Sequence, residues 1–380
     1  MFNHISKLLH SDGHIESGKG MVSGVIALGL AVLSCMGVLA FHFPEYLTMP
    51  ELRQSYSVPF LRTVLMAALS VSGLISIANI LLNRVRWLSL WAFGLVVVAL
   101  LMGGHTVPVD DIASHTPYVG LDWLILDLLG STIIFVFLEK MFALRKKQSV
   151  FRAEWQTDLA YFGLNHLLVG FMLLAVNFAV HHIFGWAVKS QLQTWIQGLP
   201  FVIELFLIVL LADFMQYWTH RAYHEVPFLW RFHAVHHSVK SMDWLAGSRL
   251  HAFEIIFTRI CVLGPIFIMG FSKEVIDAYI VIIGFQAVFN HANVSCRLGF
   301  LRYVLVTPNF HHWHHSQDAE AIDKNYAANF AFLDYLFGTA VKSDREWPTE
   351  YGVVGDYVPR GIWAQLRFPF KKNPWGEKPR

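Results

Sequence analysis

The chain has 380 residues, of which 55% are hydrophobic and only 15% are charged, and its mean hydropathy is +0.46. Soluble globular chains carry about 25% charged residues, so this composition indicates an integral membrane protein. The net charge of +2 is too small for a nucleic-acid-binding protein. The three cysteines form no C-x2-C pair, which argues against a disulfide framework and against a thiolate metal site.

Apolar runs along the chain predict membrane-spanning helices, because about 20 apolar residues cross the hydrocarbon core. Six such runs are Met21–Ala40, Val64–Leu82, Trp87–Met102, Leu121–Phe142, Leu159–Phe184 and Leu199–Phe214. Two shorter runs, Ile255–Phe271 and Val275–Phe289, predict a helical hairpin that need not cross the bilayer. The polar segment before Met21 is too long for a signal peptide, so the first run is predicted to be a membrane anchor.

The charges of the loops predict the orientation in the membrane. If the N-terminus is cytoplasmic, the inner segments carry most of the Lys and Arg residues, among them Arg145, Lys146 and Lys147. The outer loop 104–120 contains Asp110 and Asp111 and no Lys or Arg. Positive residues favour the cytoplasmic side. We therefore expect the N-terminus, the segments after residue 220 and the C-terminus to be cytoplasmic.

Histidines are concentrated in one part of the chain, since eleven of the twenty lie between residues 220 and 315. They form an H-x3-H box and two H-x2-H-H boxes, at His220 and His224, at His233, His236 and His237, and at His311, His314 and His315. Residues three and four apart lie on one face of a helix, so each box is expected to aim its imidazoles at one metal. Thr307 and Pro308 predict the start of the helix with the third box. His291, at the cytoplasmic end of the hairpin, is predicted to be a further ligand.

Four other residues are candidates for the metal site or its surroundings. Asp213 and Tyr217 share a helical stripe with His220, and a carboxylate inside an apolar run needs a partner. We expect Asp213 to accept a hydrogen bond from a histidine ring N–H, with a helix-packing hydrogen bond as the alternative. His251 is a candidate ligand, with a supporting or substrate contact as the alternative. His312 lies on the other helical face from its box and is predicted to face away from the metal.

Eight to ten imidazoles exceed the needs of one metal ion, so two neighbouring metals fit the count best. Imidazole suits zinc, copper, iron and nickel alike, and the residues alone leave iron and zinc open. No catalytic residue is predicted beyond the ligands. A metalloprotease H-E-x-x-H motif is excluded, because Phe228 stands where its second histidine is required after His224. A polytopic metal-ion transporter, or a membrane protein that only binds metal, stays the alternative, although a transporter is expected to place its ligands near the membrane midplane.

The segments DFMQYWTHRAYH, HAVHH and HHWHH, in this order, resemble the integral-membrane fatty acid hydroxylase and sterol desaturase superfamily. The dipeptide NY at 325–326 and the segment FLDYLFGT at 332–339 are similar to the closing motifs of that family, although Ala-Ala follows NY where many members have Gly. By this resemblance, the three histidine boxes of the family correspond to the eight box histidines named above. His291 matches the histidine that many members place between the second and third boxes, and His251 matches only some branches.

The resemblance implies a non-haem centre of two iron ions that uses O₂ and two electrons from an external reductase or electron carrier. The implied reaction is hydroxylation or desaturation of a lipid C–H bond, with fatty acyl chains, sterols, ether lipids and amino-acid-linked lipids as candidate substrates. The predicted fold is an all-α polytopic membrane bundle with a cytoplasmic, histidine-rich, metal-binding helical cap. We expect N-terminal membrane helices over 1–155, the catalytic domain over 156–345 and a polar cytoplasmic tail over 346–380. The sequence does not specify the oligomeric state.

Overall fold

The computed structural model of the protein describes residues 20–50, 53, 56–109, 118–296, 298–341 and 347–372. Within these residues all regular secondary structure is helical, and β-pairing is limited to two isolated bridges, Ala143 with Val294 and Ser316 with Tyr351. The predicted all-α fold is therefore confirmed. The outer loop around Asp110 and Asp111 lies outside the described residues.

The described helices follow one another in chain order, and several are long enough to span a bilayer. They are α1 Met21–His42, α2 Pro44–Leu47, α3 Val58–Leu82, α4 Trp87–Leu101, α5 Leu121–Met141, α6 Trp155–Leu167, α7 Val169–Phe184, α8 Ser190–Gln197, α9 Phe201–Glu225, α10 Pro227–His237, α11 Ala252–Met269, α12 Lys273–His291, α13 Pro308–His314, α14 Phe332–Phe337 and α15 Ile362–Arg367. Seven helical segments among the described residues are long and apolar enough to cross a membrane. The protein is a multi-pass integral membrane protein.

One predicted span is not a single helix. The run Leu159–Phe184 is divided into α6 and α7 at Leu168. The amide of Asn165 near the end of α6 donates hydrogen bonds to two backbone carbonyls, those of Ser248 and Leu250, so polar contacts interrupt the apolar run. The sixth span continues as one helix, α9, into the first histidine box, as the stripe shared by Asp213, Tyr217 and His220 predicts.

The chain forms two compact units, of which the first comprises residues 1–130 and 166–174. In this unit α1 packs against α3 and α4. Fully buried alanines at Ala27, Ala31, Ala92 and Ala99 lie in its core. Small side chains of this kind let membrane helices approach closely, so that dispersion contacts hold them together.

The second unit comprises residues 131–165 and 175–380 and contains the histidine boxes. Here α9 packs against α11 and α12 around an apolar core that includes Ile208 and Val275. The C-terminal segment 361–372 also packs on this unit, since Phe368 is fully buried among Tyr161 and Ala234. The domain limits at residues 155 and 345 stay a prediction.

Candidate metal centre

The first two boxes lie on consecutive helices that meet at a sharp turn. His220 and His224 occupy the last two turns of α9, which ends at Glu225. Val226 is extended, and Pro227 begins α10 at the first helical position. Proline suits this position because its fixed φ is helical and its missing N–H is not needed there. The turn folds α10 back, so that His233 comes to face the end of α9.

The third box and His291 come from two other elements. The Thr307 hydroxyl accepts a hydrogen bond from the Phe310 backbone N–H at 3.2 Å, and Pro308 is the first residue of α13. The predicted helix start is therefore confirmed. His291 ends α12, and its Nε2 lies 3.2 Å from Nε2 of His236 on α10. The end of α12 thus lies at the level of the second box.

The nine predicted ligands come together as two groups of buried histidines whose ring nitrogens lie within 4.8 Å of one another inside each group. The first cluster consists of His220, His224, His233, His237 and His314, and the second cluster consists of His236, His291, His311 and His315. The clusters adjoin, since the rings of His237 and His315 stack with centroids 4.3 Å apart.

Each H-x2-H-H box is divided between the clusters, which differs from the expectation that one box serves one metal. His233 and His237 belong to the first cluster and His236 to the second, whereas His311 and His315 belong to the second and His314 to the first. Helical geometry permits this division, and the opposing rings decide which cluster each ring joins. At about 100° per residue, positions i and i+4 lie about 40° apart, whereas positions i+3 and i+4 lie about 100° apart.

The ring nitrogens are arranged as metal ligands require. Nδ1 of His220 donates a hydrogen bond to the Tyr326 carbonyl at 2.7 Å, and Nδ1 of His233 lies 2.7 Å from a Glu254 carboxylate oxygen. In neutral rings with these partners both Nε2 atoms carry lone pairs, yet they lie only 3.0 Å apart. Two nitrogens about 2.1 Å from one metal and about 90° apart are separated by about 3.0 Å. A cation bound by both Nε2 atoms would remove the repulsion between their lone pairs, so the residues fit a bound metal.

The second cluster also brings Nε2 atoms together at distances that fit a bound metal. Nδ1 of His291 donates to the Ala287 carbonyl at 2.8 Å, and Nδ1 of His236 donates to the Arg249 carbonyl at 3.3 Å. Their Nε2 atoms are 3.2 Å apart, and Nε2 of His311 lies 3.0 Å from that of His291. Unprotonated nitrogens converge here as well.

A short loop orients three rings of the first cluster. The Lys324 carbonyl accepts from Nδ1 of His314 at 2.7 Å, and Asp323 lies 3.1 Å from Nδ1 of His224. Asp323 and Asn325 have φ values of 57° and 58°. Asp and Asn tolerate this left-handed conformation better than most residues. With the Tyr326 carbonyl behind His220, the loop fixes the ring orientation of three histidines.

A buried ionic network lies behind the second cluster. Arg249 is fully buried, and its guanidinium binds Asp158 at 2.6 Å and Glu154 at 3.0 Å. Asp158 also binds Arg152, which binds Asp243 at 2.7 Å. The Arg249 carbonyl is the acceptor for His236. The network thus holds the backbone that orients this ring.

Burial favours the neutral form of four cluster histidines outside the membrane-spanning segments. Loss of solvation lowers the pKa of His236, His237 and His315 well below the ordinary value, and neighbouring histidines add to the effect. The pKa of His314 is lowered to about 3, mainly by burial. A metal ligand must be unprotonated, so the environment favours the binding-competent form.

The predicted histidine partner of Asp213 is wrong. The buried Asp213 carboxylate accepts hydrogen bonds from the backbone N–H groups of Ala328, Asn329 and Phe330 at 2.6–3.0 Å. Asp213 and His220 lie seven residues apart on one helix, which is about 10.5 Å along its axis, too far for a direct contact. Asp213 instead fixes the loop that begins at Tyr326, whose carbonyl accepts the hydrogen bond of His220.

The other candidates lie around the clusters rather than within them. Tyr217 hydrogen-bonds Thr339 at 2.8 Å. Nδ1 of His312 contacts the Tyr351 hydroxyl at 2.9 Å and its Nε2 donates to the His291 backbone carbonyl at 3.3 Å, so its ring is in neither cluster, as its position in the box predicts. His251 caps α11, because its Nδ1 accepts from the Phe253 N–H and its Nε2 donates to the Leu366 carbonyl. Both nitrogens of His251 are thereby used within the protein, and His251 belongs to neither cluster.

Sequence reasoning did not identify Glu254, Asp323 or the network around Arg249. Glu254 stands at the start of an apolar run, as Asp213 stands near the end of another. A carboxylate in an apolar run indicates a buried residue that needs a partner, and this holds for Glu254 as well as for Asp213. No pattern in the sequence distinguishes Asp323 or Arg249 from surface charges, because their partners are far away along the chain.

Comparisons with known proteins agree with the resemblance. Residues 205–339 match the family model described as fatty acid hydroxylase. The ornithine lipid hydroxylase OlsE of Rhizobium tropici is 32% identical over 198 residues, which are 51% of this chain and 60% of that protein. The alkylglycerol monooxygenase of Caenorhabditis elegans is 26% identical over 250 residues, which are 65% of this chain and 46% of the relative.

A third relative is the very-long-chain aldehyde decarbonylase GL1-6 of Oryza sativa subsp. indica. It is 28% identical over 170 residues, which are 42% of this chain and 26% of that protein. The matched regions therefore span between 26% and 60% of these three relatives. No solved structure matches the chain. The matched region contains every histidine of the two clusters, and residues 205–339 form a domain of the fatty acid hydroxylase family.

Proposed function

We propose that this protein is a membrane-bound, O₂-dependent lipid hydroxylase with two non-haem iron ions. The observation that carries the proposal is the convergence of nine buried histidine rings into two adjoining clusters. Eight of the nine come from the three boxes that resemble the superfamily, and relatives of the chain are named lipid hydroxylase and monooxygenase.

One iron is assigned to each cluster. The first cluster supplies five imidazoles and the second supplies four. Bound iron would supply the redox chemistry that activates O₂. The protein contributes neutral rings, which burial maintains, and fixed ring orientations, which the acceptors behind Nδ1 maintain. The buried surroundings also restrict access of water to the reacting atoms.

The proposed reaction inserts one oxygen atom into a lipid C–H bond. One O₂, two electrons and two protons convert C–H into C–OH and release one water molecule. The electrons come from an external reductase or electron carrier. The printed names of the relatives favour a lipid substrate with a polar headgroup, such as an ornithine lipid or an alkylglycerol, and hydroxylation is preferred to desaturation for the same reason.

We place the clusters on the cytoplasmic face of the membrane. The support is the excess of Lys and Arg on the segments predicted to be inside. Cysteine introduced at Lys146 should be labelled by a membrane-impermeant reagent only after the cells are opened. Labelling of this position in intact cells would reverse the assignment.

The decisive experiment combines metal analysis with isotope-labelled turnover. The purified full chain should contain two irons, and membranes supplied with ¹⁸O₂ should yield a lipid heavier by one labelled oxygen atom. The variant His314→Ala should lose both properties. The control is His182→Ala, because His182 is exposed and outside both clusters. A product lacking two hydrogens and carrying no label would show a desaturase instead.

A metal-ion transporter predicts a different result. Its metal would exchange across the membrane, and its lipids would be unchanged by O₂. The burial of the nine rings and the Nδ1 partners of six of them favour retained metals rather than moving ions. Metal uptake by vesicles without any change in lipid composition would establish the transporter.

A further inference from the structure

A polar cavity of about 530 Å³ lies beside the end of α5, and neither histidine cluster includes any of its lining residues. It is bounded by the last two turns of α5, by the segment 142–150 and by Asn293 and Ser295. Its volume lies within the range of about 300–1,000 Å³ that small-molecule sites occupy. The cavity is therefore large enough for a lipid headgroup.

Cations line this cavity in excess. Lys140, Arg145 and Lys146 are exposed and contribute to its wall, and Glu139 is the one acidic residue among the lining residues. The Glu139 carboxylate is already used, because it accepts from the Trp244 N–H at 2.7 Å and the Asn293 N–H at 2.9 Å. The ammonium groups of the two lysines form no ion pair with a carboxylate among the described residues.

Local hydrogen bonds hold the cavity wall in shape. The Arg145 backbone N–H donates to the Asn293 side-chain oxygen at 2.8 Å, and the Leu144 N–H donates to the Asn293 carbonyl at 3.1 Å. The Arg145 guanidinium donates to the Pro348 carbonyl at 3.0 Å and lies over the Tyr351 ring. These neutral partners fix the guanidinium without cancelling its charge. The positive wall is thus built in advance of binding.

Apolar side chains adjoin the cations at the end of a membrane-spanning helix. Met141 and Phe142 line the cavity and are 61% and 53% exposed. The segment Leu121–Met141 is apolar and long enough to cross the bilayer. This combination suits a molecule that presents acyl chains to the helix and an anionic group to the lysines, because basic pockets at the membrane boundary bind anionic headgroups.

We propose that this cavity binds the phosphate headgroup of an anionic membrane glycerolipid. The site does not depend on the metal chemistry, so its test is a binding measurement. The delipidated full chain in detergent is titrated with phosphatidylglycerol, phosphatidylcholine or inorganic phosphate, and bound lipid is counted by native mass spectrometry. Phosphatidylglycerol should bind more tightly than phosphatidylcholine, and inorganic phosphate should bind least.

The charged side chains are tested by the double variant Lys140→Gln/Lys146→Gln. Each surface cation contributes about 1 kcal/mol to binding of anionic lipid, so the loss of two should weaken phosphatidylglycerol binding by roughly 30-fold. The control is Lys147→Gln, since Lys147 is an exposed neighbour that does not line the cavity. Unchanged iron content in both variants shows that the fold is intact.

Three results would overturn the proposal. Equal binding of the two phospholipids to the unaltered protein would remove the charge selectivity. An equal loss of phosphatidylglycerol affinity in the Lys147→Gln control would show that the effect arises from general surface charge. If the double variant kept its lipid affinity but lost stimulation by an acidic electron-carrier protein, the cavity would be a protein-docking surface instead.

Discussion

The first cluster has five histidines and the second has four, and the groups behind the rings differ in charge. In the first cluster, carboxylates of Glu254 and Asp323 face two of the Nδ1 atoms. In the second, the Nδ1 partners of His236 and His291 are backbone carbonyls. A carboxylate makes a ligating imidazole more basic. We therefore expect the first cluster to hold its metal more tightly, although both are built from the same boxes.

Removal of a ligand should have the largest effect and should act on one cluster at a time. His314→Ala removes a ligand of the first cluster and His236→Ala one of the second. Each variant should lose turnover completely and lose iron, because the proposed two-iron reaction needs both sites. Iron stoichiometry and lipid product are measured together.

The matched control for these variants is His312→Ala, in the same box but hydrogen-bonded to Tyr351. It should retain both irons and most turnover. Equal iron loss in His312→Ala and His314→Ala, with both proteins folded, would refute the assignment by helical face.

Gly247→Ala should act on the second cluster alone. A Cβ atom at this position would lie 2.8 Å from Nδ1 of His291, which is too close, so the ring must move. Misplacement of a reacting group by about 1 Å reduces turnover roughly 100-fold. The control is Gly284→Ala on α12, where an added Cβ meets no atom within 4 Å. Full turnover in Gly247→Ala would show that His291 tolerates displacement.

Glu254→Gln tests the role of charge behind the first cluster. Loss of the carboxylate facing His233 should lower metal affinity by roughly 10–100-fold, and metal competition with a chelator measures the change. Glu225→Gln serves as the control, because Glu225 is exposed and pairs with Arg221 at the surface. If Glu254→Gln releases metal no faster than this control, the difference between the clusters does not arise from this carboxylate.

Asp213→Asn should affect stability more than metal binding. The carboxylate holds three backbone N–H groups and touches no ligand. Weaker bonds to these groups should reduce the free energy of unfolding by about 1–3 kcal/mol, while metal affinity changes less than tenfold. Asp277→Asn, at an exposed ion pair with Lys273, is the control. A metal loss as large as that of Glu254→Gln, without a change in unfolding, would contradict this role.

The smallest effect concerns the pH dependence of the metal-free protein. Burial lowers the pKa of His314 to about 3, whereas the unfolded chain has a histidine pKa of about 6.5. As the pH falls below about 6.5, the unfolded chain binds protons that the folded chain does not, so folding stability decreases. The melting temperature of the metal-free protein should therefore fall between about pH 7 and about pH 5. A constant melting temperature would show that the rings are not buried without metal.

Much of the metal centre could be predicted from the sequence. The nine histidines of the clusters follow from the spacing of the boxes and from the resemblance, and the position of His312 outside them follows from helical periodicity. The division of each box between two clusters did not follow, because it depends on where the opposing rings stand. The partner of Asp213 was predicted incorrectly for the same reason. Helical periodicity indicates which face of the helix a residue occupies, but not which residue of another segment packs against that face.

By itself the sequence determined the local features of this protein. Runs of apolar residues set the helices, Thr307 and Pro308 set the start of α13, and box spacing set which histidines share a face. Only the tertiary structure decided the long-range pairs, such as Glu254 behind His233 and the Tyr326 carbonyl behind His220. The physical reason is that helical geometry is encoded within a few residues, whereas contacts between distant segments depend on how the whole second unit packs.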